Sequence, residues 1–580
     1  AIAVTPANAN YVYVLSSDNS SGYGGVYRST NSGTSFSTMS TTPNILGYSV
    51  TGSGSGGQGW YDLAIAASNT NTNEVVVGGV NIWCSTNGGS SFSIIAHWYG
   101  ASGTPYVHAD VHDLIYLPGS GTTIWAGCDG GAFRTTNNGT SWSDRSAGLQ
   151  IGQLYRLATS ATNTSLNLSG WQDNGTNRVN GTSWSIVIGG DGMECIIDHS
   201  NANIMYGELY YGDIDKSTNG GNSFTNIVSS SGTGVNSSGN WVTPYIMHPT
   251  NANTLLVGKD NLYRSTNGGT SWSTLGAMTG TTSRVNAIAY APSNTNYIYA
   301  SKNTRLYKST NGGTSFTDIT SGLPNASITY IAVSNTDPNK VWLTFSGYSS
   351  TNKVFMTTNG GTSWTNFSTG LPNLPVNCVV YENGSADGVY VGTDVGVYFR
   401  DNTMSNWVSY MTGLPNVIVN ELEIQYTAGK IRAATYGRGI WESDLFSSSG
   451  AAPVANFVSN QQSGCPGTQI NFTDLSNFNP TSWSWSVMPS TGVSYVGATS
   501  STSQNPMIVF ANAGTYTISL TATNSNGSNN HTKNNYITIS ATQTLPLVEG
   551  FTGAFVPADW SNNDLANDGF TWLKNTAVGG

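Results

Sequence analysis

The chain has 580 residues, of which only 9% are charged, and 20 Lys and Arg against 30 Asp and Glu leave a net charge of −10. Average soluble proteins carry about 25% charged residues. No basic cluster is present to meet nucleic acid or an anionic membrane, which argues against both as partners, and no apolar run approaches the roughly 18 residues of a transmembrane segment. With 69 Gly and 19 Pro the chain falls short of low-complexity disorder, and 17 Trp, 30 Tyr and 17 Phe can fill a large core. The surface must then be built from Ser, Thr, Asn and Gly, a composition associated with secreted and cell-surface β-proteins. Cys84, Cys128, Cys195, Cys378 and Cys465 are odd in number and hold no CxxC pair, so neither a zinc knuckle nor a disulfide framework is expected. Four of them sit in apolar strand patterns as buried free thiols.

Along the chain the octet Ser/Thr-Thr-Asn-x-Gly-x-Ser-Trp/Phe occurs seven times, at 29–36, 85–92, 135–142, 217–224, 265–272, 309–316 and 357–364. Short apolar strands flank each copy, which makes it a hairpin turn in which Asn and Gly supply positive φ and the final aromatic packs under the turn. A second strand pair lies upstream, as in 285–290 and 297–300. Four strands per repeat make one propeller blade. The closing aromatics Phe36, Phe92, Trp142, Trp184, Phe224, Trp272, Phe316, Trp364 and Trp407 lie 40–56 residues apart, the period of propeller blades. A tenth unit at 419–445 keeps three strands, so residues 1–446 hold ten blades.

The octet resembles the Asp-box of bacterial neuraminidases, xyloglucanases and sortilin-type receptors, with Asn in the Asp position. The resemblance implies an all-β propeller closed as one sortilin-like ring or divided into two smaller propellers, as in xyloglucanases. The missing strand of the tenth blade is expected from the N-terminal segment or from chain preceding Ala1. The box itself lies at the outer turn and carries no chemistry.

The loops at the opposite face carry the unrepeated polar and aromatic residues. In chain order these are Trp60, Tyr61 and Asp62, then His108, Asp110 and His112, then Asp129. Trp171, Gln172 and Asp173 follow in blade four, and Asp191, Glu194, Glu208, Tyr210 and Tyr211 in blade five. On a strand, His108, Asp110 and His112 share one face, where they either ligate a divalent metal or hydrogen-bond along the channel. Asp129, Asp173, Asp191 and Glu194 are candidates for the two carboxylates of glycoside hydrolysis, and equally for caps of backbone amides in Asp-Gly turns. Arg28, Arg134, Arg264 and Lys308 share one repeated strand position and read as structural, and Arg284, Arg305 and Arg438, which could reach the functional face, come from blades remote from the acidic group, so a sialidase is not expected. No cofactor is implied beyond a divalent cation such as calcium.

After a linker at 447–452, residues 453–541 resemble a polycystic-kidney-disease-type (PKD) immunoglobulin-like domain, through Ile470-Asn471-Phe472-Thr473-Asp474, Trp483-Ser484-Trp485 and the alternating run 513–522. Met488-Pro489-Ser490-Thr491-Gly492 replaces that family's usual Asp-Gly turn, which leaves a spacer role. Residues 542–580 resemble the start of a jelly-roll module of the cleaved-adhesin or choice-of-anchor type, too short to bury its own core, so the chain is expected to continue beyond Gly580. The mouth segments and this tail are similar to secreted Bacteroidetes propellers that carry PKD modules and type IX secretion signals. Two functions fit: a secreted or outer-surface binding or adhesion protein that takes a glycan or a matrix protein in the mouth, with self-assembly open, and a glycosidase related to xyloglucanases.

Overall fold

The structure is a computed structural model that describes residues 1–228, 235, 237–446, 452–476, 480–524 and 526–541. The jelly-roll start expected at 542–580, and the expected linker apart from Ala452, lie outside the described residues. The chain divides into two compact units, one built on Ala1–Val454 and one beginning at Ala455.

The first unit contains ten antiparallel sheets in chain order, nine of four strands and a tenth of three. They occupy residues 2–40, 64–96, 111–144, 154–188, 195–228, 245–274, 287–318, 328–366, 376–409 and 418–444. Each box forms the same hydrogen-bonded turn. In the sixth sheet Ser265 Oγ accepts the N–H groups of Asn267 (3.3 Å) and Gly269 (2.8 Å), while Asn267 Oδ1 accepts the N–H of Ser271 (2.9 Å). Gly268 and Gly269 have φ of 66° and 96°, values that a residue with a Cβ resists. Asn thus supplies the acceptor oxygen that Asp supplies in other boxes, and its amide adds a donor to Ser271 Oγ that an ionised Asp lacks.

Two of the closing tryptophans bond to the preceding sheet, whereas Trp272 Nε1 donates to Gly269 O of its own turn at 3.1 Å. Trp142 Nε1 donates to Ile95 O at 3.1 Å and Trp364 Nε1 to Ile319 O at 3.3 Å. The core is therefore a series of apolar layers between neighbouring sheets, such as Tyr206, Ile214, Tyr245, Leu255 and Val257 between the fifth and sixth. A second repeated contact reinforces it. The cation preceding the box reaches the first box glycine, or its equivalent, in the next sheet: Lys216 to Gly268 O at 2.9 Å, Arg264 to Gly312 O at 2.9 Å, Lys308 to Gly360 O at 2.7 Å, and Arg178 to Gly220 O.

The ten sheets do not make one ring. The tenth packs on the fourth, where Leu154, Leu157 and Ala434 form a shared layer. Asn420 Nδ2 donates to Leu154 O (2.8 Å), Gln425 Nε2 to Ser160 O (2.9 Å) and Arg432 Nη1 to Asn167 Oδ1 (2.6 Å). Sheets four to ten thus close a seven-bladed propeller, and sheets one to three are a separate stack. Its flanks leave Ile2 and Val4 exposed on one side and Ile115 and Leu117 on the other. Strand Ile2–Val4 pairs with Val12–Ser17 inside sheet one, so the N-terminal segment does not complete sheet ten as expected. Phe36 and Trp184, whose sheets have no complete four-stranded sheet before them, are half exposed.

The second unit is a sandwich of two four-stranded sheets. Trp485 fills its centre against Phe457 (ring centroids 5.1 Å) and Phe472 (5.6 Å), with Ile470, Ile508, Leu520 and Ile537 around them. Alternation along Gly514–Asn524 buries Tyr516, Ile518, Leu520 and Ala522 on the inner face. All five cysteines are free, Cys84, Cys195 and Cys378 in the core.

Candidate functional site

Loops of the three-sheet stack and of the ring meet at one place. His108 Nε2 lies 2.9 Å from the carbonyl oxygen of Asp173, and Asn174 Nδ2 donates to Asp129 O at 3.1 Å. In this seam one carboxylate oxygen from each of Asp110, Asp129 and Asp173 lies within 4.8 Å of the other two. The loop before strand Val111–Tyr116 places Asp110 at φ 63°, and the turn between Leu166–Trp171 and Gly175–Asn180 places Asp173 at φ 59°. Asp129 stands in the matching turn of sheet three.

Neighbours orient these groups. Tyr61 OH donates to Asp129 Oδ2 at 2.7 Å and His112 Nε2 bonds to Asp129 Oδ1 at 2.8 Å. Gln58 Nε2 donates to Asp110 Oδ1 at 2.5 Å. Asp191 accepts the backbone N–H of Asp173 at 2.7 Å, the capping role foreseen for Asp-Gly turns. Burial, then the charges of Asp191, Asp129 and Asp110, pushes Asp173 up to about 6. Burial, then Asp110, pushes Asp62 up to about 8. Burial and then Asp129 raise Asp110 as well.

A track of rings and amides leads away from the aspartates. Trp60, 76% exposed, stands by Tyr61 at 5.4 Å, and Tyr61 meets the edge of His112. Beyond Asp129 and Asn174, Gln172 Oε1 accepts the hydroxyls of Tyr155 (2.9 Å) and Tyr436. Trp241 Nε1 donates to Tyr155 OH at 3.1 Å, and its ring stacks on Tyr210 (5.3 Å, 9° between planes) with Tyr211 edge-on. Trp60, Tyr61, Tyr210, Tyr211 and Trp241 are all exposed.

Four expected site residues do other work. His108, Asp110 and His112 do not share a strand face: the strand begins only at Val111. Asp110 turns to the other aspartates while His108 holds the Asp173 carbonyl. Glu194 is buried at the ring's interior, paired with Arg156 at 3.1 Å, and burial with the nearby charge of Glu421 raises it well above the carboxylate range. Glu208 is fully buried, and its Oε1 accepts the N–H groups of Gly212 and Thr243, both at 2.9 Å. It therefore positions the turn of Tyr210 and Tyr211 and the loop of Trp241 instead of meeting a ligand. Trp171 packs on Trp184 and donates to Ser169 Oγ at 2.7 Å.

The sequence reading did not single out Gln58, Trp241 or Tyr436. Tyr436 ends strand Lys430–Tyr436, in the loop position that holds Asp129 and Asp173 in sheets three and four, so the repeat register could have found it. Trp241 lies in the long connection between the fifth and sixth sheets, where connection length was the signal.

A family model described as PKD domain matches residues 450–539. No curated protein matches the sequence. Among solved structures, the chain is similar to a GH74 enzyme of Niastella koreensis, at 16% identity over 89% of this chain and 91% of that one, with a TM-score of 0.26. It is similar also to a GH74 xyloglucanase of Xanthomonas campestris, at 14% identity over 94% and 86%, with a TM-score of 0.24. YCF48 from Cyanidioschyzon merolae aligns at 11% identity over 51% of this chain and 95% of its own, with a TM-score of 0.38. Among the described residues no helix is long and apolar enough to cross a membrane.

Proposed function

We propose that this is a secreted or outer-surface binding protein that takes a glycan across the seam between the three-sheet stack and the ring. The observation that carries this is the continuous track from Trp60 through Tyr61, Asp129, Gln172 and Tyr155 to Trp241 and Tyr210. Exposed rings alternate there with fixed hydrogen-bonding groups, which suits sugars, whose apolar faces stack on rings while their hydroxyls need partners. The rings are held in advance by bonds to one another and by Glu208, so less ordering is lost on binding. The PKD unit serves as a spacer.

The test is retention on a glycan array and on immobilised polysaccharides. Trp60→Ala and Trp241→Ala are each expected to weaken retention at least about tenfold, the loss typical of a stacking anchor. Failure of the wild-type chain to bind any glycan would sink the proposal.

A glycosidase is the second reading, favoured by one observation: Asp173 is held near 6, where a general acid works well. Against it, one oxygen from each of Asp110, Asp129 and Asp173 lies within 4.8 Å of the other two, closer than the roughly 6.5–9.5 Å that an inverting pair leaves for water, so these three suit at most a retaining pair at roughly 5–5.5 Å. Release of reducing ends from a polysaccharide, abolished by Asp173→Asn, would replace the binding reading with this one.

A further inference from the structure

The aspartate seam concentrates negative charge with little to balance it. Asp110, Asp129 and Asp173 come within 4.8 Å of one another. Behind them lies Asp62, 0% exposed, with no donor reaching either carboxylate oxygen and the carboxylate of Asp110 beside it. The charges acting on Asp62, Asp110 and Asp173 are mainly other aspartates; the basic groups at the cluster are two histidines, His108 beside Asp110 and His112 on Asp129 at 2.8 Å. A buried carboxylate that faces another is costly, and what the side chain of Asp62 meets is the carboxyl of Asp110, so the pair needs either a shared proton or a cation.

We infer that Asp110, Asp129 and Asp173 bind a divalent cation of the calcium type, with Asp62 turned toward it from the protein side. All four groups offer hard oxygen ligands, which select Ca²⁺ or Mg²⁺ over zinc or copper. Separations within 4.8 Å let the three oxygens share one ion, and Ca²⁺ accepts carboxylates from separate loops in its flexible geometry at about 2.3–2.6 Å, whereas Mg²⁺ demands near-ideal octahedral geometry. The surroundings have the form of an outer ligand shell. Gln58 fixes Asp110, and Tyr61 and His112 each bond one oxygen of Asp129, leaving further lone pairs free. Because Asp110 and Asp129 come from sheet three and Asp173 from sheet four, the ion would join the stack to the ring and brace the track beside it.

The experiment uses the full chain, stripped with EDTA and dialysed, with no glycan present. Added CaCl₂ is expected to raise Tm with increasing concentration, calorimetry to give one site, and Tb³⁺ to show luminescence on excitation of the adjoining Trp60 and Tyr61. Asp110→Asn and Asp173→Asn are each expected to weaken calcium binding more than tenfold, and Asp318→Asn, at an exposed ion pair, to leave it unchanged. Tyr61→Phe keeps every carboxylate and removes one orienting bond; it should cost about tenfold in calorimetric Kd, which keeps the test decisive if the Asp variants do not fold. The inference is overturned if the wild type shows neither a calcium-dependent Tm nor Tb³⁺ uptake, or if folded Asp110→Asn and Asp173→Asn bind as it does. The glycan array read in EDTA separates the two proposals: retention without any cation site defeats this one alone, and a cation site without retention defeats only the glycan reading.

Discussion

Ser309 shows what one box residue contributes. Its buried hydroxyl accepts the N–H groups of Asn311 (3.3 Å) and Gly313 (2.8 Å) and donates to Asn311 Oδ1. Ser309→Ala strands two backbone donors and should cost about 1–3 kcal/mol, read as a lower urea midpoint at unchanged m-value. Glu208 answers to pH instead. Burial pushes it up to about 8, against the backbone N–H groups that favour its anion, while the unfolded chain releases that proton near 4.3. The folded state therefore holds more protons between these values, so this group's stabilisation is complete below about 4.3 and is lost as pH rises through about 8. Stability of the wild type should fall across that window, and Glu208→Gln should flatten the fall; an equal slope in both proteins would refute the assignment. At this scale the sequence was readable where a residue follows a repeat position, as Asp129 and Asp173 do. It misled at Glu194, because the residue before strand Cys195–Ile197 turns inward or outward according to where the pleat begins, which no local pattern states.

Between elements, the repeated cation is the clearest finding. Its recurrence marked it as structural, but its partner lies 48–52 residues onward in the next sheet and cannot be read from local sequence. Arg134 occupies the same position, yet it lies over the ring of Trp125. The sheet that follows it in sequence belongs to the ring, and the carbonyl to receive it is not there. Arg264→Met should thus cost about 1–2 kcal/mol through the lost charged hydrogen bond, whereas Arg134→Met should stay within about 0.5 kcal/mol. Equal losses in thermal unfolding would mean that the cations stabilise their own sheets rather than the joint between sheets.

For the whole molecule, the existence of ten repeats, nine of four strands and one of three, was legible because seven carry the same turn chemistry and the closing aromatics keep its period. Their grouping was not, because boxes in sheets one to three and five to eight have the same sequence whichever neighbour they meet. The deciding residues sit on strand Ile418–Gln425 of the unboxed tenth sheet, whose Glu421 accepts the N–H of Leu157 at 2.6 Å and the hydroxyl of Tyr330 at 2.7 Å. With Arg156 and Glu194 these groups tie sheets four, five, eight and ten together at the ring's interior. Arg156→Met would leave Glu194 and Glu421 buried without their counter-charge, a loss of about 3–5 kcal/mol. Closure also means that every sheet from four to ten packs between two neighbours in the ring, the outer strand of sheet four alone standing open at Trp184 and Ile186 beside the three-stranded sheet ten, while the three-sheet stack exposes Ile2, Val4, Ile115 and Leu117 at its flanks. Residues 150–446 expressed alone should consequently fold as a monomer with one cooperative transition and slow amide exchange in all seven inner strands. Residues 1–149 alone should aggregate or exchange rapidly in strands Ile2–Val4 and Val111–Tyr116. A ring fragment that is unfolded while the full chain is stable would show that sheets four to ten do not close on themselves and that the stack supplies the missing contacts.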